Sequence, residues 1–171
     1  MNSKILKSID YMITKSDSKA GLFALEKVFK IGIPFNKPHH INFLKLSKNE
    51  CQMRMKNKRI NHNHLGGIHA CAIATLGEFS AGILLCKNFQ MIKYRVIMKD
   101  ISVEYKKQAR TDITSLSELS EMEIESILKQ IALEDKATIL LKTSVKDAQG
   151  DEVAIISTNW QMKDWSKTHL K

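Results

Sequence analysis

The chain has 171 residues, 43% of them hydrophobic, enough for one ordinary domain with a sizeable core, and no Pro-, Gly- or Ser-rich linker divides it. Its net charge of +9 lies wholly in the first 62 residues, where thirteen Lys and Arg stand against four Asp and Glu, while residues 63–171 carry fourteen of each. Few aromatics interleave the basic residues, which argues against single-strand nucleic-acid stacking, and Cys51, Cys71 and Cys86 form no CxxC pair, which argues against a disulfide framework.

The segment Met1-Asn-Ser-Lys-Ile-Leu-Lys7 meets charge before any secretory apolar core, so a reducing cytoplasm is the expected setting. Ile5, Ile9, Met12 and Ile13 fall at helical spacing and predict a short amphipathic helix over 3–15. A second helix is expected after a cap at Asp17 or Ser18, with Leu22, Leu25, Val28 and Phe29 on one side and a stop near Gly32 and Pro34. This gives an N-terminal helical extension over 1–34 and a main domain over 35–171. Residues 41–59 read as two β segments, one around Ile41, Phe43 and Leu44, the other alternating through Cys51, Met53 and Met55.

After a loop rich in Asn, His and Gly, residues 68–86 form an apolar, small-residue helix. Beyond it, Ile92, Tyr94, Val96 and Met98 alternate in one phase and Ile101, Val103 and Tyr105 in the other, which places a bulge near Lys99 and Asp100 in a long strand. A short β segment over 111–114 precedes Ser120-Glu-Met-Glu123, a capping-box spacing followed by Ile124, Ile127, Leu128 and Ile131 at helical intervals. Two strands, over 137–146 and 152–160, flank the turn Asp147-Ala-Gln-Gly150 as a hairpin. A helix apolar on every side needs a surface wrapped about it, and a curved antiparallel sheet supplies one. The class is therefore α+β. The small side chains of Ala70, Ala72, Ala74, Gly77, Ser80, Ala81 and Gly82 would let that sheet come close.

Glu78 is the anomaly in this helix, an ionisable group where burial is costly. It lies nine positions after His69, about 2.5 turns and roughly 13–14 Å of rise on an α-helix. The two side chains therefore point in nearly opposite directions, and a site using both needs two copies of the helix. Gly66-Gly67 leads into the helix start, where free N–H groups and the positive end of the dipole favour an oxyanion. Such a place suits a carbonyl whose oxygen becomes negative during acyl transfer. Glu78 from a partner helix would then attack or activate water, its pKa raised by burial.

Asn63-His-Leu-Gly-Gly-Ile-His69, followed nine residues later by an acid on an Ala-rich helix, resembles the hotdog-fold thioesterases, in particular the phenylacetate-pathway type and a related branch of unknown function. The likeness runs through Lys99-Asp-Ile-Ser-Val-Glu-Tyr-Lys-Lys-Gln-Ala-Arg110 and the Asp147–Gly150 turn, covering about residues 35–163. It implies a hotdog fold, a homodimer or dimer of dimers, and cleavage of acyl-CoA-type thioesters at subunit-interface sites, with no cofactor beyond the coenzyme A of the substrate. Carried over by position, Asn63 would orient the thioester or water, the N–H of Ala70 would polarise the carbonyl beside Gly66 and Gly67, Glu78 would be base or nucleophile, and His69 would brace the helix start. The chain departs from the family pattern at Ala70 and Cys71, where active relatives usually have Gly-Gly, at Glu78, where the phenylacetate type has Asp, and at Met98, near a position that carries a hydroxyl in some relatives.

The alternative from another class is a non-catalytic hotdog protein holding an acyl-CoA or fatty acyl group. A hotdog dehydratase ranks behind both, because the central segment lacks the Pro-Gly loop that reaction uses. His62, His64 and His69 have no Cys or carboxylate to complete a ligand set, so no metal is expected. A membrane span is not expected either, since it would put Glu78 at mid-bilayer. Lys45, Lys56, Lys58, Arg59, Arg95 and Arg110 are candidates for coenzyme A phosphates.

Overall fold

A computed structural model describes residues 3–167, with side chains described for 7–166. Two helices open the chain, α1 (Ser3–Thr14) and α2 (Lys19–Gly32), and Ser18 caps α2 by accepting from the Gly21 N–H at 3.0 Å. The 3-10 segment Pro34–His39, which the sequence pattern does not reveal, carries the chain to β1 (Asn42–Leu46) and β2 (Glu50–Met55). The long helix α3 (Ala70–Asn88) is followed by β3 (Tyr94–Tyr105), β4 (Ile113–Glu118), α4 (Glu121–Glu134), β5 (Lys136–Asp147) and β6 (Glu152–Asp164). In α4 the expected capping box is complete, with Ser120 and Glu123 each satisfying the other's backbone N–H.

The six strands form one antiparallel sheet in the order β1-β2-β4-β5-β6-β3. The register of β3 on β6 shifts between Met98 and Asp100, where the phase of the apolar alternation changes. The sheet curves around α3, which buries Ala72, Ile73, Leu76, Phe79, Ile83, Leu84 and Leu85. This is the hotdog arrangement. By length and composition α3 could cross a membrane, yet here it is the core helix of the sheet.

Close approach of sheet to helix has a measurable cause. A Cβ on Gly77 would lie 2.7 Å from the Ile156 side chain, and one on Gly82 would lie 3.0 Å from the Trp160 ring. Between these contacts runs a belt of buried hydroxyls. Ser80 and Ser115 share a hydrogen bond of 2.6 Å, Ser117 and Thr143 one of 2.7 Å, and Thr143 reaches the Gly77 carbonyl at 3.4 Å. Satisfied in this way, the polar atoms escape the cost of an unmade bond and fix the rotation of α3.

Several boundaries differ from expectation, among them β6, which runs to Asp164 rather than 160, and those of α3 and β4. The helix α3 begins and ends two residues later than its apolar run suggests, because His69 stands outside as its cap. Strand β4 is longer than its expected 111–114, since Ser115 and Ser117 face inward and are fully buried, which hides the alternation.

At the N-terminal side, Leu25 and Phe29 of α2 join the same core, and Phe29 packs edge-on to Phe79 with ring centres 5.4 Å apart. The carboxylate of Asp10 on α1 accepts from the Met91 and Ile92 N–H groups, each at 3.0 Å. Lys87, at the end of α3, donates to the Ile13 carbonyl at 2.9 Å and pairs with Asp17 at 3.0 Å. The helix α1 is thus fastened to the last turn of α3 and the segment after it, while α2 rests on β1, where Asn42 donates to Glu26 at 2.7 Å.

Candidate active site

The loop before α3 is built around Asn63. Its Oδ1 accepts from the N–H groups of Leu65 at 2.9 Å and Gly67 at 3.2 Å, while its own N–H donates to the Gly67 carbonyl at 2.8 Å. Gly66 adopts φ +77°, a left-handed conformation that suits glycine. Gly67 has a different reason to be glycine, since a Cβ there would come within 2.8 Å of the Gln108 side chain. With Oδ1 spent on the loop, the Nδ2 donor of Asn63 has no partner among the described residues.

His69 completes the helix start. Its Nδ1 accepts from the Cys71 N–H at 3.1 Å, which requires that nitrogen to be unprotonated. The Tyr105 hydroxyl donates to the Ala70 carbonyl at 2.8 Å, tying the end of β3 to the first turn of α3. Among the described residues nothing accepts from the Ala70 N–H. A cleft of about 260 Å³ opens here, lined by Asn63, Ala70, Tyr105, Lys107 and Gln108 among others.

Glu78 lies elsewhere. It is half-buried on α3 and lines a cavity of about 390 Å³ whose other walls come from Phe29 of α2 and Ile33 just after it, Gly82 and Cys86 of α3, Tyr94 and Val96 of β3, Trp160 of β6, and Met91 and Trp165. Burial raises its carboxyl above the ordinary value of 4.5, and it has no hydrogen-bond or ion-pair partner among the described residues. Arg95 lines the same cavity; Lys45, Lys56, Lys58, Arg59 and Arg110 do not. The Trp160 indole N–H is buried without a partner.

Within one chain the structure therefore brings Asn63, Gly67 and Ala70 together and keeps Glu78 apart from them, as the helical spacing requires. Ala70 is exposed at the helix start, where its carbonyl meets Tyr105 of β3, and its small side chain is not buried against the sheet as expected. Sequence reasoning missed Tyr105 as the anchor of the helix start and the walls supplied by residues 29, 33, 91, 160 and 165. The alternation of Tyr94 and Val96 was the one signal for a wall, and it did not say what the wall faced.

A family described as a domain of unknown function, DUF4442, matches residues 21–162. The chain belongs to that family. No curated protein matches the sequence. Solved structures similar to this DUF4442 chain include a Pseudomonas aeruginosa protein of unknown function described as a probable thioesterase. It is 24% identical with a TM-score of 0.77, over 83% of this chain and 95% of that one. A Haemophilus influenzae thioesterase is 10% identical with a TM-score of 0.69, over 87% and 94%. A mutant thioesterase from Pseudomonas aeruginosa is 13% identical with a TM-score of 0.68, over 84% and 94%. At these identities the likeness is one of fold, and the DUF4442 chain shares the hotdog architecture with proteins named as thioesterases.

Proposed function

We propose that this protein is a thioester hydrolase acting on acyl-CoA or related acyl thioesters, with each site assembled from two copies of the chain. The observation that carries the reading is Glu78, a desolvated carboxylate with no partner among the described residues, set in the wall of an apolar cavity. A half-buried carboxylate of raised pKa is suited to taking a proton from water or attacking a carbonyl.

The sheet suggests how two copies meet. Strand β3 is an edge of twelve residues, with Ile97, Ile101 and Tyr105 exposed. The Glu78 cavity lies against its first residues, Tyr94–Ile97, and the Asn63 cleft lies against its end, at Tyr105 and beyond. Antiparallel pairing of two β3 edges would set the start of one strand beside the end of the other. Glu78 of one copy would then face the Asn63 loop of its partner.

In that arrangement the free Ala70 N–H, backed by the dipole of α3, polarises the thioester carbonyl. Asn63 Nδ2 orients the carbonyl or the attacking water, Gly66 and Gly67 let the backbone approach, and His69 holds the helix start. Glu78 acts as base or nucleophile, and the substrate supplies the coenzyme A. Residues 1–34 are read as an extension fastened to a domain over 35–171, working in a reducing cytoplasm.

Turnover of a panel of acyl-CoA thioesters by the wild type and by Glu78→Gln tests the reading. The variant is expected to lose about 100-fold or more in kcat, the scale of a lost general base. Equal turnover by both proteins overturns the role of Glu78. Absence of turnover by the wild type, with acyl binding retained, leaves the non-catalytic acyl-binding protein instead.

A further inference from the structure

The cavity beside Glu78 has a length as well as a volume. Glu78, Gly82 and Cys86 follow one another at intervals of four along α3, so the lined stretch runs about 12 Å along the helix axis. Met91, three residues past the end of α3, and Trp165, just past β6, line the same space. Both are firmly held. The Trp165 indole N–H donates to the Met91 carbonyl at 2.8 Å, the Trp165 backbone N–H donates to the Lys93 carbonyl at 3.0 Å, and Asp10 holds the Met91 N–H. Burial pushes the Cys86 thiol up to about 12, with the charges of Asp10 and Glu78 adding to the effect, so this wall carries no thiolate.

Two magnitudes decide what such a space fits. An extended hydrocarbon advances about 1.3 Å per carbon for single bonds of roughly 1.5 Å, so the stretch from Glu78 to Cys86 takes about nine carbons. An apolar cavity of about 150 Å³ takes one benzene ring. The 390 Å³ here holds more than twice that volume, so a phenylacetyl group would leave much of it empty.

We propose that the cavity is a measuring pocket for an unbranched aliphatic acyl chain of about eight to twelve carbons, ended by Met91 and Trp165. Phe29 of α2 and Ile33 just after it line the space, which makes the N-terminal segment part of the specificity of the site. The word acyl rests on the hydrolase reading above; the length and the aliphatic character rest on the cavity alone.

Both tryptophans of the chain, Trp160 and Trp165, line this space, so intrinsic fluorescence reports its occupancy. The full-length protein would be titrated with straight-chain primary alcohols from butanol to tetradecanol and with 2-phenylethanol, neutral probes that avoid repulsion by Glu78. Affinity should rise about fourfold per methylene until the chain meets the end wall and then level off, with decanol bound at least about tenfold more tightly than 2-phenylethanol. Met91→Ala should move the break to longer alcohols and Cys86→Leu to shorter ones. Circular dichroism melts check that each variant is folded, and either variant suffices.

A break unmoved in a folded variant, affinity indifferent to length, or 2-phenylethanol bound as tightly as decanol overturns the proposal. Parallel hydrolysis assays separate it from the hydrolase reading. A length-dependent break without turnover supports the pocket and removes the enzyme. Turnover that favours phenylacetyl-CoA over decanoyl-CoA does the reverse.

Discussion

Glu78 sets the pH behaviour expected of the protein. Its carboxyl is raised by desolvation, so the folded chain holds the proton to a higher pH than the unfolded chain does. Stability contributed by this proton is fully present below the ordinary carboxylate value and is lost as the pH climbs through the raised one. Glu78→Gln removes that loss, so the variant should melt higher than the wild type at neutral pH and level with it in acid. A melting series that shows no such divergence overturns the assignment. Catalysis has the opposite dependence, because the deprotonated form is the base, and kcat/KM should rise with pH along a limb centred above 4.5. Gly77 offers a separate test of packing. Its absent Cβ faces the Ile156 side chain at 2.7 Å, so Gly77→Ala should cost about 1–3 kcal/mol by overpacking, read as a fall in the denaturation midpoint. Glu78 and the Asn63 loop were legible in the sequence because a charge within an apolar run and a Gly-Gly step before a helix are local signals. The cavity walls were not, since residues 29, 91, 160 and 165 meet only after the sheet has curved.

Among the elements, legibility followed the strength of the period. The helix α4 was plain from its capping box and apolar spacing, and Ser120→Ala should cost about 1 kcal/mol, lowering Tm by about 2–4 °C, which a thermal melt measures. The bulge in β3 was visible as a change of phase, because side chains on a strand alternate and an inserted residue reverses them. Strand β4 was obscured by its own function in the fold. Its inward residues are Ser115 and Ser117, whose hydroxyls bond to Ser80 and Thr143 rather than to water. A strand that presents hydroxyls to the core looks from its sequence like one facing solvent. The boundary of α3 was displaced for a related reason: His69 continues the polar-to-apolar pattern in sequence but spends its ring nitrogen on the Cys71 N–H and so ends outside the helix.

At the scale of the whole molecule, the proposed pairing of β3 edges links assembly to activity. Ile101→Lys introduces charge at an exposed position of that edge, and it should shift sedimentation from dimer to monomer and abolish turnover together. A monomer of undiminished activity would overturn the shared site. The order in which the sheet closes carries a different consequence. Strands β5 and β6 are joined by a short turn and can pair early, whereas β2 and β4 pair across Glu50 and Glu118 with the whole of α3 between them. Until that long-range pairing forms, a nineteen-residue helix apolar on every side has no sheet around it. Refolding from urea should therefore lose yield steeply as protein concentration rises, and added non-ionic detergent should restore it. The helix that holds Glu78 away from water in the finished protein is, for the interval before closure, the chain's most adhesive surface.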